Sequence, residues 1–227
     1  MKRSTICFII AIILCSFPSQ LLALPEGAVA RLGIGTVNAV TFSPDGKYLA
    51  VATSIGVFLL DPFNLAVIYS FDTTIYMTSI AFSPDSSLLA SGSWYEIKLW
   101  DVRSRTLVAT LGHSWLVNSV AFSPDSSLLA SGSSDGIVGL WDVRSRTLVA
   151  TLKGHSSWVN SVAFSLDGLL LASGSWDHTV KLWDVRSRTL VATLKGPYGV
   201  MSVAFNPDGS LLASGSSDGI VGLWDVR

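Results

Sequence analysis

Serine, histidine and aspartate recur along this chain in an order that could do hydrolytic chemistry. His113 is followed by Ser131, Ser133 and Asp135, and His155 by Ser173, Ser175 and Asp177. A hydroxyl that attacks a carbonyl, an imidazole that takes its proton and a carboxylate that orients the imidazole are the parts of a nucleophilic triad. A triad works at one place, however, whereas here the second set repeats the first 42 residues later, and Trp141 and Trp183 travel with the two sets at the same interval. A constellation copied whole is a requirement of the unit that carries it, so no catalytic residue is assigned. No His-x-x-x-His pair, Gly-rich phosphate loop or carboxylate cluster accompanies the sets, and neither a metal nor a cofactor is expected.

The unit itself is set by a longer period. Phe42, Phe82, Phe122, Phe164 and Phe205 close five short alternating segments, spaced 40, 40, 42 and 41 residues apart. Trp100, Trp141, Trp183 and Trp224 follow at intervals of 41, 42 and 41, and the stretch from Ser127 to Arg144 is identical to that from Ser210 to Arg227. Within one unit, 119–122, 128–133, 137–141 and 147–152 read as strands. The intervening Ser123-Pro124-Asp125, Asp135-Gly136 and Arg144-Ser145-Arg146 read as turns. A four-stranded antiparallel meander cannot bury both of its apolar faces alone, and near-identical copies stacked around an axis leave only short edges exposed. The expected fold is all-β, a propeller of about five four-stranded blades.

Leu-Ala-Ser-Gly-Ser, Gly-His and terminal Trp-Asp, at spacings of about 40 residues, resemble the WD repeats of the WD40-type β-propeller family, and the resemblance covers Val29 to Arg227. It implies a propeller over 28–227, with blades near 33–72, 73–112, 113–153, 154–195 and 196–227. It further implies that 28–32, containing Val29-Ala30-Arg31-Leu32, supplies the closing strand of the last blade. Five blades are fewer than the family's common seven, so a piece of a larger propeller is the rival to a closed ring. The resemblance also gives the polar sets a role. His113, Ser131 or Ser133, Asp135 and Trp141 would form one buried hydrogen-bonded tetrad, and His155, Ser173 or Ser175, Asp177 and Trp183 a second. Blade five has Gly196-Pro197 in place of Gly-His, blade two has Trp94-Tyr95-Glu96 in a shortened turn, and blade one has Leu60-Asp61 in place of Trp-Asp. Looser blades are expected there.

Function should lie where the copies differ. The loops that lead into each blade, and those joining its second and third strands, fall at one end of a meander. They carry Tyr76, Trp94, Tyr95, Trp115, Trp158, Trp176, His178 and Tyr198. Stiff aromatic groups with polar tips dominate the energetic centres of interfaces, so these residues are the expected contact surface for a protein or peptide. Three or four of the eight are expected to pack between blades instead. A glycan-binding propeller is the alternative, and a hydrolase with a site in the central channel ranks third.

Lys2 and Arg3, a 12-residue apolar run from Ile6 to Phe17, Pro18 and Leu21-Leu22-Ala23 have the layout of a secretory signal peptide over 1–23. The run is too short to span a bilayer, although a retained anchor is the other reading of the leader. The mature protein is expected in the periplasm or secreted medium of a bacterium, as a monomer without membrane association. Its only cysteines, Cys7 and Cys15, lie in the leader. A net charge of −1 offers no attraction to nucleic acid.

Overall fold

The computed structural model describes residues 33–71 and 76–227. The leader at 1–23 and the expected closing strand at 28–32 lie outside the described residues.

Five antiparallel sheets follow one another along the chain. The first holds β1 (Val37–Phe42), β2 (Leu49–Thr53), β3 (Gly56–Leu60) and β4 (Val67–Phe71). The second holds β5 (Ser79–Phe82), β6 (Leu88–Gly92), β7 (Glu96–Asp101) and β8 (Thr106–Gly112). The third holds β9 (Val117–Phe122), β10 (Leu128–Ser133), β11 (Ile137–Asp142) and β12 (Thr147–Lys153). The fourth holds β13 (Val159–Phe164), β14 (Leu170–Ser175), β15 (Thr179–Asp184) and β16 (Thr189–Lys195). The last holds β17 (Val200–Phe205), β18 (Leu211–Ser216) and β19 (Val221–Asp225). Within each sheet the strands pair in chain order, as a meander requires.

Turn chemistry fixes the register. In the third sheet, Ser123 Oγ donates to Asp125 Oδ1 at 2.6 Å, and Asp125 Oδ1 accepts the Ser127 amide at 3.0 Å, which folds the chain back from β9 into β10. Asp142 Oδ1 likewise accepts the Ser145 amide at 2.6 Å, and Arg146 adopts a φ of 61° to complete the turn into β12. These hydrogen bonds favour the ionised carboxyl, so Asp125 and Asp142 both sit below their ordinary pKa.

The core is not one mass but a series of layers between neighbouring sheets. Leu99 and Ile97 of blade two pack with Val117, Val120 and Phe122 of blade three, and Val138 and Leu140 of blade three pack with Val159 and Val162 of blade four. Hydrogen bonds repeat across the same seams: the amides of Val120, Val162 and Val203 each donate at 3.1 Å to the hydroxyl of Ser79, Ser119 or Ser161 in the preceding blade. Consecutive inner strands therefore pack in the order β1, β5, β9, β13 and β17. No comparable packing joins β17 to β1 among the described residues.

Candidate functional site

The polar sets lie beneath one end of the sheets, and only part of the expected tetrad is common to the blades. In blades two to five the strand Trp donates its indole N–H to a strand Ser: Trp100 to Ser91 at 3.1 Å, Trp141 to Ser131 at 2.9 Å, Trp183 to Ser173 at 2.8 Å and Trp224 to Ser214 at 2.9 Å. Ser131 and Ser173, not Ser133 and Ser175, are thus the serines that accept from the strand Trp. Ser175 has a different task, donating to the Ser157 carbonyl at 3.1 Å, and Ser133 Oγ is buried without a hydrogen-bond partner.

Blade four carries the chain of bonds to its end. His155 Nε2 lies 2.7 Å from Ser173 Oγ, and His155 Nδ1 lies 2.8 Å from Asp177 Oδ2. Burial holds the imidazole below its ordinary pKa despite the opposing hydrogen bond and charge of Asp177, so it is neutral at pH 7. Neutrality fixes the tautomer: Nδ1–H donates to the carboxylate and Nε2 accepts from the Ser173 hydroxyl, which in turn accepts from Trp183. Asp177 is pushed up by burial. Bonds from the Thr179 hydroxyl, His155 and the Ser156 amide outweigh that push and leave it below the usual carboxylate range. Every polar group in the chain is satisfied, as buried groups must be. Ser173 is 0% exposed, so its hydroxyl meets no substrate.

Blade three holds the same four residue types without joining them, which corrects the expectation of a second tetrad. His113 Nδ1 is buried with no partner, and Asp135 Oδ1 accepts only the Ile137 amide of its own turn, at 3.1 Å. Two features set the blades apart: Ile137 stands where Thr179 donates to Asp177, and the loop is one residue shorter, with five residues between Leu111 and Val117 and six between Leu152 and Val159. Gly112 fills the last strand position, paired with Glu96 as Lys195 is paired with Thr179. His113 then donates its amide to the Tyr95 carbonyl at 2.7 Å, as Gly196 does to the His178 carbonyl at 2.9 Å. His113 therefore stands where the other loops place glycine, one residue too early to bridge Asp135 and Ser131. A cavity of about 90 Å³ lies there, with His113, Asp135, Gly139 and Trp141 in its walls.

Above these sets, backbone bonds tie each lead-in loop to the neighbouring hairpin. Ser134 donates to the Leu116 carbonyl, Trp176 to that of Trp158 and Ser217 to that of Gly199, each at 2.9 Å. Tyr76, Trp94, Tyr95, Trp115, Trp158, Trp176, His178 and Tyr198 all occur on these loops and hairpins, and all eight are exposed. None of the eight is buried between blades, against the expectation that three or four would be, although Trp176 lies over Gly199 of the next blade; the rings buried between sheets are those of the strands, Phe122, Trp141 and Trp183 among them. His178 is unusual among them. It adopts a φ of 66° at the turn position where blades three and five have Gly136 and Gly219, at φ 80° and 85°. A side chain in that left-handed region is strained relative to glycine. At the other end of the sheets, Phe122, Phe164, Phe205, Pro84, Pro124 and Pro207 surround an opening of about 510 Å³.

Five repeated antiparallel sheets, four of them with a Trp–Ser bond and neighbours packed through their first strands, define the blades of a β-propeller. The family model for the WD domain, G-beta repeat, matches residues 31–55, 66–101, 105–142, 146–184 and 188–225, and the chain belongs to that family. Proteins of this kind typically serve as interaction scaffolds that bind proteins or peptides. No curated protein matches the chain.

Proposed function

We propose that the protein is an exported bacterial scaffold, periplasmic or secreted after loss of 1–23, which binds a protein or peptide through the aromatic loop end. The supporting observation is the exposure of all eight loop residues on a frame whose repeated positions bury their aromatic rings, Trp100, Trp141 and Trp183 included. Large apolar groups presented together on rigid loops mark interaction surfaces. His178 adds weight to this reading, because strain retained at an exposed turn is common at functional positions.

The test is capture of partners from periplasmic and medium fractions by the chain, compared with a variant in which Trp115, Trp158 and Trp176 are changed to Ala. Loss of specifically captured proteins, with the melting temperature unchanged, is expected. Equal capture by the two would dismiss the aromatic end. A glycan ligand would instead show as capture that survives protease treatment of the bound fraction.

A further inference from the structure

The two terminal blades expose surfaces that every internal blade buries. The identical segments Ser127–Arg144 and Ser210–Arg227 provide an internal control, since only their surroundings differ. Val138 and Leu140 are 0% and 1% exposed, whereas their counterparts Val221 and Leu223 are 68% and 66% exposed. Val138 and Leu140 are covered by Val159 and Val162 of the following blade. At the other end of the chain, Val40 and Phe42 are 60% and 62% exposed, while Val120 and Phe122 at the same positions in blade three are 6% and 8% exposed against blade two.

The glycines of the second hydrogen-bonded strands show what shape the open face accepts. A Cβ placed on Gly132 would lie 2.6 Å from Val159 Cγ1 and 3.2 Å from Val162 Cγ1, and one on Gly174 would lie 2.6 Å from Val200 Cγ1 and 3.0 Å from Val203 Cγ1. Glycine is required there because the next blade's valines rest against the backbone. Gly215 is the equivalent residue of blade five, and a Cβ on it would meet nothing within 4 Å. The residues that correspond to Val159 and Val162 in blade one are Val37 and Val40, both exposed. Ser202, which corresponds to the bridging Ser119 and Ser161, is exposed as well.

We propose that these two faces are seats for a second copy of this chain, with Val37, Val40 and Phe42 of one copy packing on Gly215, Val221 and Leu223 of the next. The occupant follows from continuity with the seams already present: the contact repeats, between chains, the layer formed four times within one. The chain's own blade one does not occupy blade five, because both faces are open together among the described residues. Such a contact joins different patches on the two partners, so it is heterologous and yields a closed ring of copies or an open row. A monomer is then not the expected state.

The experiment uses the full chain with Cys7 and Cys15 changed to Ser. In the internal seams the Cβ on Gly132 or Gly174 would lie 3.2 or 3.3 Å from the Cβ of Val159 or Val200, close enough for a disulfide after a small adjustment. One chain carrying V37C and another carrying G215C, purified apart and mixed under mild oxidation, should become covalently joined. A chain carrying both G132C and V159C reports that the geometry permits oxidation. Light scattering of the unmodified chain should give at least twice the 24.2 kDa of one copy. The variant G215I, whose added Cβ meets nothing within 4 Å in its own copy, should fall to a single copy that is still folded by circular dichroism. A single-copy mass for the unmodified chain overturns the proposal, as does a chain carrying both V37C and G215C that forms its disulfide only within itself.

Discussion

Blades three and four are built from nearly the same residues, yet in one of them the imidazole closes a hydrogen-bonded chain and in the other it is stranded. His155 links Asp177 to Ser173, while His113 reaches neither Asp135 nor Ser131. The four residue types are equal; what differs is the length of the loop that carries the histidine, and Ile137 in place of Thr179, whose hydroxyl donates to Asp177. A buried polar chain is therefore a matter of register before it is a matter of composition. The Trp–Ser bond survives in both blades because its two partners lie two residues apart on paired strands, where the ladder holds them. The histidine arrives on a loop, and a loop shortened by one residue delivers it elsewhere.

The comparison can be broken from the side of the complete blade. Asp177→Ala leaves the Nδ1–H of a buried imidazole only the Thr179 hydroxyl, 3.3 Å away, as an acceptor and should cost on the order of 1–3 kcal/mol in denaturant unfolding. A next step sharpens the contrast from the other side. Inserting a lysine between Leu111 and Gly112 restores the loop length of blade four, and should raise stability by about 1 kcal/mol as His113 reaches Asp135 and Ser131. An insertion that lowers the melting temperature would show that loop length is not what separates the two blades.

Acid provides a third test. Both histidines are held below their ordinary pKa, chiefly by burial. The unfolded chain therefore binds protons first as pH falls through the unperturbed value of 6.5. Their contribution is fully present above that value and declines below it, until the folded histidines also protonate. The melting temperature should fall from pH 7 to pH 5, and less so in His113→Ala, which removes the imidazole that has no hydrogen-bonded carboxylate. His178→Gly should relieve the left-handed strain and stabilise blade four by up to about 1 kcal/mol. The smallest effect is expected for Asp135→Ala, which removes one turn hydrogen bond and should change stability by less than about 1 kcal/mol.

Much of the fold could be read from the residues. The strand predicted at 128–133 matches β10, and those predicted at 119–122, 137–141 and 147–152 differ from β9, β11 and β12 by one or two residues at their ends. Alternation and turn residues are local signals, and they were sufficient there. The choice between Ser131 and Ser133 was not legible, because both point to the same face of β10 and only the position of the indole on β11 distinguishes them. The stranding of His113 was legible in principle, since counting residues from Leu111 to Val117 against Leu152 to Val159 exposes the deletion. Matching motif to motif conceals it. The exposure of all eight loop residues depended on how completely the strands' own side chains, Phe122, Trp141 and Trp183 included, fill the seams, which is a property of packing between blades and has no signature within one.

The most direct test of the register argument is the side-chain nitrogen spectrum of the two buried histidines in the labelled protein near pH 7. His155 should appear as the neutral Nδ1–H form with a slowly exchanging proton, and Asp177→Ala should abolish that protection, while His113 should show no protected ring proton. Equal protection of both imidazoles, or an Nε2–H form at His155, would contradict the account.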